Sequence, residues 1–274
     1  MKATGTLSKM KTTHISPVKY ELTLSEVQYD ITALVGKTIR LTYSGNILCQ
    51  NCGKKTKKSY AQGYCYPCTM KLAECDLCIL KPETCHYDKG TCREPEWGLA
   101  NCFRPHVIYL ANSSGLKVGI TRKTQVPTRW MDQGATEALP IIEVKNRFVS
   151  GQIEVIFKKL VADKTDWRKM LKGDPESIDL VEWKTKLLRE LGEHLKEHDY
   201  VVLDEPVVKI SYPVNTYPEK VTSFNLDKVN EISAKLMGIK GQYLIFETGV
   251  LNVRTHTGYV VTIEGTNGSE NNLS

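Results

Sequence analysis

Hydrophobic and polar positions alternate with a period of two in Val18-Lys19-Tyr20-Glu21-Leu22-Thr23-Leu24 and again in Thr38-Ile39-Arg40-Leu41-Thr42-Tyr43. Successive strand side chains point to opposite faces, so residues 1–48 read as an N-terminal β element with one buried face. Over residues 49–105 the long apolar periodicity stops and Cys, Gly and Pro replace it. Such a stretch needs something other than a large core to order it, and metal is the natural candidate. At His106 the pattern changes again. Apolar runs over 107–111, 116–121 and 139–144 predict three strands, the first two joined by a turn over 112–115. A short helix is expected after Pro127 and another from about Ser150, with Ile153, Ile156, Phe157 and Leu160 on one face.

Leu180, Trp183, Leu187, Leu188, Leu191 and Leu195 recur at helical spacing and predict a core-facing helix over 179–198. Residues 106–199 therefore read as a small α/β module with extra helices. Strand signatures return over 200–203, 207–210, 241–247 and 259–263. The simplest arrangement pairs these strands of a C-terminal β element, residues 200–274, with residues 1–48, leaving the cysteine-rich region and the module as insertions. The fold class is then α+β. The polar, glycine-rich tail over 265–274 is expected to be disordered.

At 274 residues, with 41% hydrophobic and 25% charged positions, the chain has apolar material for two or three small domains. A charged start followed by an apolar signal core is lacking, and no apolar run approaches the roughly 18 residues of a membrane helix. A cytoplasmic setting without a membrane partner is the expectation. The net charge of +6 is modest, but its distribution is more informative. Lys54, Lys55, Lys57 and Lys58 cluster beside the first cysteines, and Lys117, Arg122, Lys123 and Arg129 suit a phosphate-bearing partner such as DNA or RNA.

All nine cysteines fall between Cys49 and Cys102, with CxxC pairs among them, a usage typical of thiolate metal sites in a reducing compartment. Cys49 and Cys52 are followed after twelve residues by Cys65 and Cys68. Each CxxC knuckle aims two sulfurs at one ion, and two knuckles close a four-thiolate shell with no open position, which is the ligand set of structural zinc. A second cluster begins at Cys75 and Cys78. Its remaining two ligands come from Cys85, His86, Cys92 and Cys102, with Cys92 and Cys102 the leading pair. Zinc is favoured there by analogy with the ribbon, and an iron–sulfur cluster is the rival.

The text His106-Val107-Ile108-Tyr109-Leu110, then Lys117-Val118-Gly119-Ile120-Thr121, then Arg129-Trp130 resembles the core of the GIY-YIG nuclease superfamily over residues 106–161, a fifth of the chain. That resemblance implies two paired strands carrying the name motifs, an arginine on the next helix and, on a later helix, a glutamate that holds one divalent ion. Val107-Ile108-Tyr109 and Lys117-Val118-Gly119 match the two motifs, Arg129 the arginine and Glu154 the glutamate. Lys117 stands where the family name has tyrosine. The implied chemistry is phosphodiester hydrolysis: Tyr109 takes or orients the proton of water, Arg129 holds phosphate oxygens, and Glu154 ligates magnesium. The flanking text, including Gly90-Thr91-Cys92-Arg93-Glu94-Pro95-Glu96-Trp97-Gly98, also resembles a bacterial family classed as a domain of unknown function.

Three functions follow from these readings. One is a magnesium-dependent nuclease gripping its substrate with zinc ribbons. Another is a non-catalytic nucleic-acid-binding module in which the change to Lys117 has removed cleavage. The last is a zinc-stapled interaction scaffold. Convergence of Tyr109, Arg129 and Glu154 on one cleft is what the first requires and the last does not.

Overall fold

The computed structural model describes residues 2–265, so most of the tail expected to be disordered, from residue 266 on, lies outside the described residues. The chain is α+β, and every pairing between its named strands is antiparallel. Its segments gather into two units, Met1–Thr69 with Leu171–Gly173 and Ser211–Ser274, and Met70–Met170 with Asp174–Ile210. Among the described residues no helix is long and apolar enough to cross a membrane.

The first unit is built on a seven-stranded sheet and a three-stranded one. Strand Tyr259–Gly265 lies between Lys2–Thr6 and Thr38–Leu48, and Glu231–Lys240 pairs with the other edge of Thr38–Leu48. The period-two text explains the faces. In Lys19–Leu24 the residues Tyr20, Leu22 and Leu24 are buried and the intervening polar side chains are not, and Ile39 and Leu41 do the same in Thr38–Leu48. The short strand Lys55–Thr56 pairs with the end of Thr38–Leu48, which ties the first cysteine ribbon to this unit.

The second unit carries a sheet in the order Tyr200–Val202, Glu137–Val144, His106–Asn112 and Leu116–Arg122, with Val208–Lys209 also on Glu137–Val144. The strands over 200–203 and 207–210 therefore differ from their expected place with the N-terminal element. Each is too short to carry its own face, and the long buried strand Glu137–Val144 has a free edge that both can share. With every pairing between its named strands antiparallel, the module is α+β in construction rather than α/β. All seven residues of His106–Asn112 are buried, because helices and neighbouring strands cover both faces of this central strand. Helix Leu180–Leu195 buries Leu180, Leu187, Leu191 and Leu195 as its spacing predicts, with Trp183 and Leu188 packed at the margin. Helix Arg147–Phe157 starts three residues earlier than expected because Asn146 caps it, its side chain accepting from the Val149 N–H at 2.9 Å. It ends at Phe157, so Leu160 falls beyond the helix and is exposed rather than continuing the core stripe.

Candidate metal centre and polar cleft

Strand Thr38–Leu48 delivers Cys49 to the mouth of the ribbon, where its N–H bonds the Lys54 carbonyl at 3.0 Å and its carbonyl accepts from Gly53 N–H at 2.9 Å. Gly53 has φ of 68°, a left-handed conformation that lets the chain turn tightly after Cys52. Cys65 precedes and Cys68 lies on the short helix Tyr66–Lys71. The four sulfurs all lie within 4.8 Å of one another, and Cys52 and Cys65 are 3.8 Å apart. A tetrahedral zinc ion with sulfurs at about 2.3 Å requires edges of about 3.8 Å, the Cys52–Cys65 separation, and four thiols are the ligand chemistry of structural zinc.

The protons of these thiols are unequally held. Burial opposes ionisation of Cys49, but backbone amides of Cys52, Cys65 and Asn51 outweigh it and bring the thiol down to about 6. At Cys68 the Asn51 amide favours the thiolate, while neighbouring Cys65, burial and the other two thiols push it up to about 12. A bound dication would favour the thiolate form of all four sulfurs. Lys54, Lys55, Lys57 and Lys58 are exposed on this ribbon.

In the second unit, a polar cleft of about 150 Å³ is lined by Tyr109, Lys117, Gly119, Arg129, Gln133 and Glu154, among others. Tyr109 on the central strand stands opposite Gly119 in register. A Cβ at Gly119 would lie 2.6 Å from the Tyr109 hydroxyl oxygen, so only glycine leaves room for the phenol to lie across the neighbouring strand. The ring is edge-on to Trp130 at 5.9 Å, and its hydroxyl donates to Gln133 Oε1 at 2.8 Å. Lys117 Nζ donates to the same oxygen at 3.2 Å and to Thr165 Oγ1 at 3.3 Å. Arg129 lies on the short helix Thr128–Asp132 and Glu154 on Arg147–Phe157. Lys158 Nζ bridges Glu154 Oε2 at 3.4 Å and Asp163 Oδ2 at 3.0 Å.

Burial governs the protonation of this site. It lowers Lys117, together with the Arg129 guanidinium, to about 8, because an ammonium is poorly solvated there. It raises Tyr109, against the pull of Arg129, and raises Glu154, against the pull of Lys158.

Tyr109, Lys117, Arg129 and Glu154 are thus brought together. Arg122 and Lys123 are not among the residues that line the cleft. Arg122 donates to Asn101 Oδ1 at 2.6 Å, and Lys123 pairs with Glu143 at 2.7 Å, so local partners on the strand's flank claim both cations. Sequence reading passed over Gln133, Arg147 and Asp163, which also line the cleft. For Gln133 a signal existed, its place four residues after Arg129, one helical turn on.

A family model described as "Protein of unknown function (DUF2797)" matches residues 36–261, a span that includes all nine cysteines and every residue of the cleft. The chain belongs to the DUF2797 family. No curated protein and no solved structure matches it.

The remaining cysteines of this DUF2797 chain do not follow the expected grouping. Cys78, Cys92 and Cys102 line one small cavity together with Cys85, whereas Cys75 is not among its lining residues. Cys75 ends the 3-10 turn Ala73–Cys75, and Asp76, extended at φ −69° and ψ 154°, opens the next turn, Leu77–Ile79, so the two cysteines belong to successive turns.

Proposed function

We propose that this chain is a zinc-stapled protein that binds nucleic acid and cleaves phosphodiester bonds in the second unit's cleft, in the manner of the GIY-YIG nucleases it resembles. What supports the reading is one observation: Tyr109, Lys117, Arg129 and Glu154, up to 45 positions apart in sequence, line a single polar cleft. Paired strands carry Tyr109 and Gly119, a following helix Arg129 and a later helix Glu154, the order the resemblance requires.

The residues divide the work by their electrostatics. A phosphate entering the cleft meets the guanidinium of Arg129, a planar donor suited to two phosphate oxygens and to the charge that grows as water attacks phosphorus. Burial lowers Lys117 to about 8, toward the neutral amine, which can take the proton of the attacking water. Burial makes Tyr109 a poor base, so its hydroxyl orients rather than accepts. Glu154 and Asp163 supply hard oxygen donors that already share one cation, Lys158, and this donor set fits magnesium. Bound there, magnesium would offset the charge of the leaving oxygen.

The test is incubation of the purified protein with labelled single- and double-stranded DNA and RNA, with and without magnesium. Cleavage is expected only with the metal. It should collapse in Glu154→Gln and fall about a hundredfold or more in Arg129→Ala, while salt-sensitive binding survives both. Wild-type rates in Glu154→Gln would sink the assignment. Binding without cleavage under any divalent metal would favour the non-catalytic module, and neither binding nor cleavage would favour the interaction scaffold.

A further inference from the structure

In the second unit, four cysteines scattered over 25 positions, Cys78, Cys85, Cys92 and Cys102, line one cavity of about 20 Å³. The surrounding segment has little core of its own: over residues 73–101 it is a succession of 3-10 turns and one short helix. Such a chain does not hold four thiols around a common space by packing alone. We propose that Cys78, Cys85, Cys92 and Cys102 form a second closed four-thiolate zinc site, separate from the ribbon of Cys49, Cys52, Cys65 and Cys68.

Three observations select this ligand set. First, in the alternative grouping of Asp76, Cys78 and His86 the carboxylate is already engaged: Asp76 is paired with Arg93 at 2.6 Å and caps Cys78 N–H, and its Oδ2 lies 3.6 Å from His86 Nε2. Second, the space these thiols line, about 20 Å³, takes one water-sized sphere, which suits a single ion. Third, four thiolates on zinc carry a net charge of −2, and the guanidiniums of Arg147 and Arg122 lie close enough to Cys102 to act on its charge. Each thiol enters as thiolate and releases its proton to solvent on binding.

The site has a structural consequence whatever the cleft does. Ile79, Leu80 and Pro82, from the segment between Cys78 and Cys85, form part of the cleft wall. That segment is held from two further directions. Arg147 Nη2 donates to the Ile79 carbonyl at 2.6 Å, and a Cβ at Gly151 would lie 2.6 Å from the Glu83 backbone nitrogen. Zinc on Cys78 and Cys85 would clamp both ends of this wall against the helix that carries Glu154.

Elemental analysis of the full chain, purified without chelator, tests the assignment. The wild type should hold two zinc ions, Cys85→Ser and Cys92→Ser one each, and Cys75→Ser two. Because a variant could fail to fold, a second measurement uses the wild type alone: cobalt(II) titration should show tetrahedral thiolate absorption growing to two equivalents. One zinc or one cobalt per wild-type chain overturns the proposal. So does loss of metal in Cys75→Ser, or iron with visible charge-transfer absorption in the purified protein.

Discussion

Replacing Gly119 by alanine probes the floor of the cleft directly. The new methyl group would sit 2.6 Å from the Tyr109 hydroxyl oxygen, 2.7 Å from Cζ and 3.2 Å from Cε2. The phenol cannot retreat cheaply: its side chain is fully buried, edge-on to Trp130, and hydrogen-bonded to Gln133. Overpacking of this kind costs about 1–3 kcal/mol. Displacing the hydroxyl from Gln133 adds about 1 kcal/mol for a lost neutral hydrogen bond. The expected total is about 2–4 kcal/mol, or on the order of 10 °C in the melting temperature of a unit this size. All four tryptophans, Trp97, Trp130, Trp167 and Trp183, lie in the second unit, so tryptophan fluorescence reads its unfolding without the first. Zinc is kept in excess so that metal loss does not enter. Gly192→Ala is the control. It lies in helix Leu180–Leu195, a Cβ there meets nothing within 4 Å, and the change should stabilise by about 0.5–1 kcal/mol. A Gly119→Ala protein within about 0.5 kcal/mol of wild type would refute the packing argument, because surface-like tolerance is incompatible with the contact described.

Cys52→Ser should remove close to one zinc equivalent and abolish hydrogen-exchange protection over residues 49–68, since the ribbon lacks an apolar core; wild-type protein without zinc by elemental analysis would disprove this. His106 is fully buried, with Nδ1 2.7 Å from the Arg104 carbonyl and Nε2 without a hydrogen-bond partner among the described residues, and burial lowers it to about 4. Between its folded and unfolded values the unfolded state binds the extra proton, so this stability is present above about 6.5 and is lost as the pH falls toward 4. The wild type should lose about 3 kcal/mol relative to His106→Phe over that window, and parallel denaturation curves for the two proteins would contradict the burial argument.

Much of the architecture was legible because it is encoded locally. The alternation in Lys19–Leu24 and Thr38–Leu48 dictates which face is buried whatever the strand pairs with, and the Leu180–Leu195 stripe does the same at helical period. The first four-cysteine cage was equally legible, since two CxxC knuckles carry most of its geometry in their own backbones. Tyr109, Lys117, Arg129 and Glu154 carry no periodicity that groups them, and only a family resemblance marks them in the sequence.

What the tertiary structure alone decided is everything that depends on a non-local partner. Strand Tyr200–Val202 reads like its neighbours in sequence, yet its place beside Glu137–Val144 depends on which edge was free. Arg122 and Lys123 carry the same charge as Arg129, but Asn101 and Glu143 hold the first two away from the cleft. Lys117 drops to about 8 because the fold buries it and sets it near Arg129. Cys75 and Cys78 show the limit most clearly. Their CxxC spacing is identical to that of Cys49 and Cys52, yet only Cys78 of the two lines the cavity shared by Cys85, Cys92 and Cys102. Spacing states which sulfurs can meet, whereas packing at a distance decides which do.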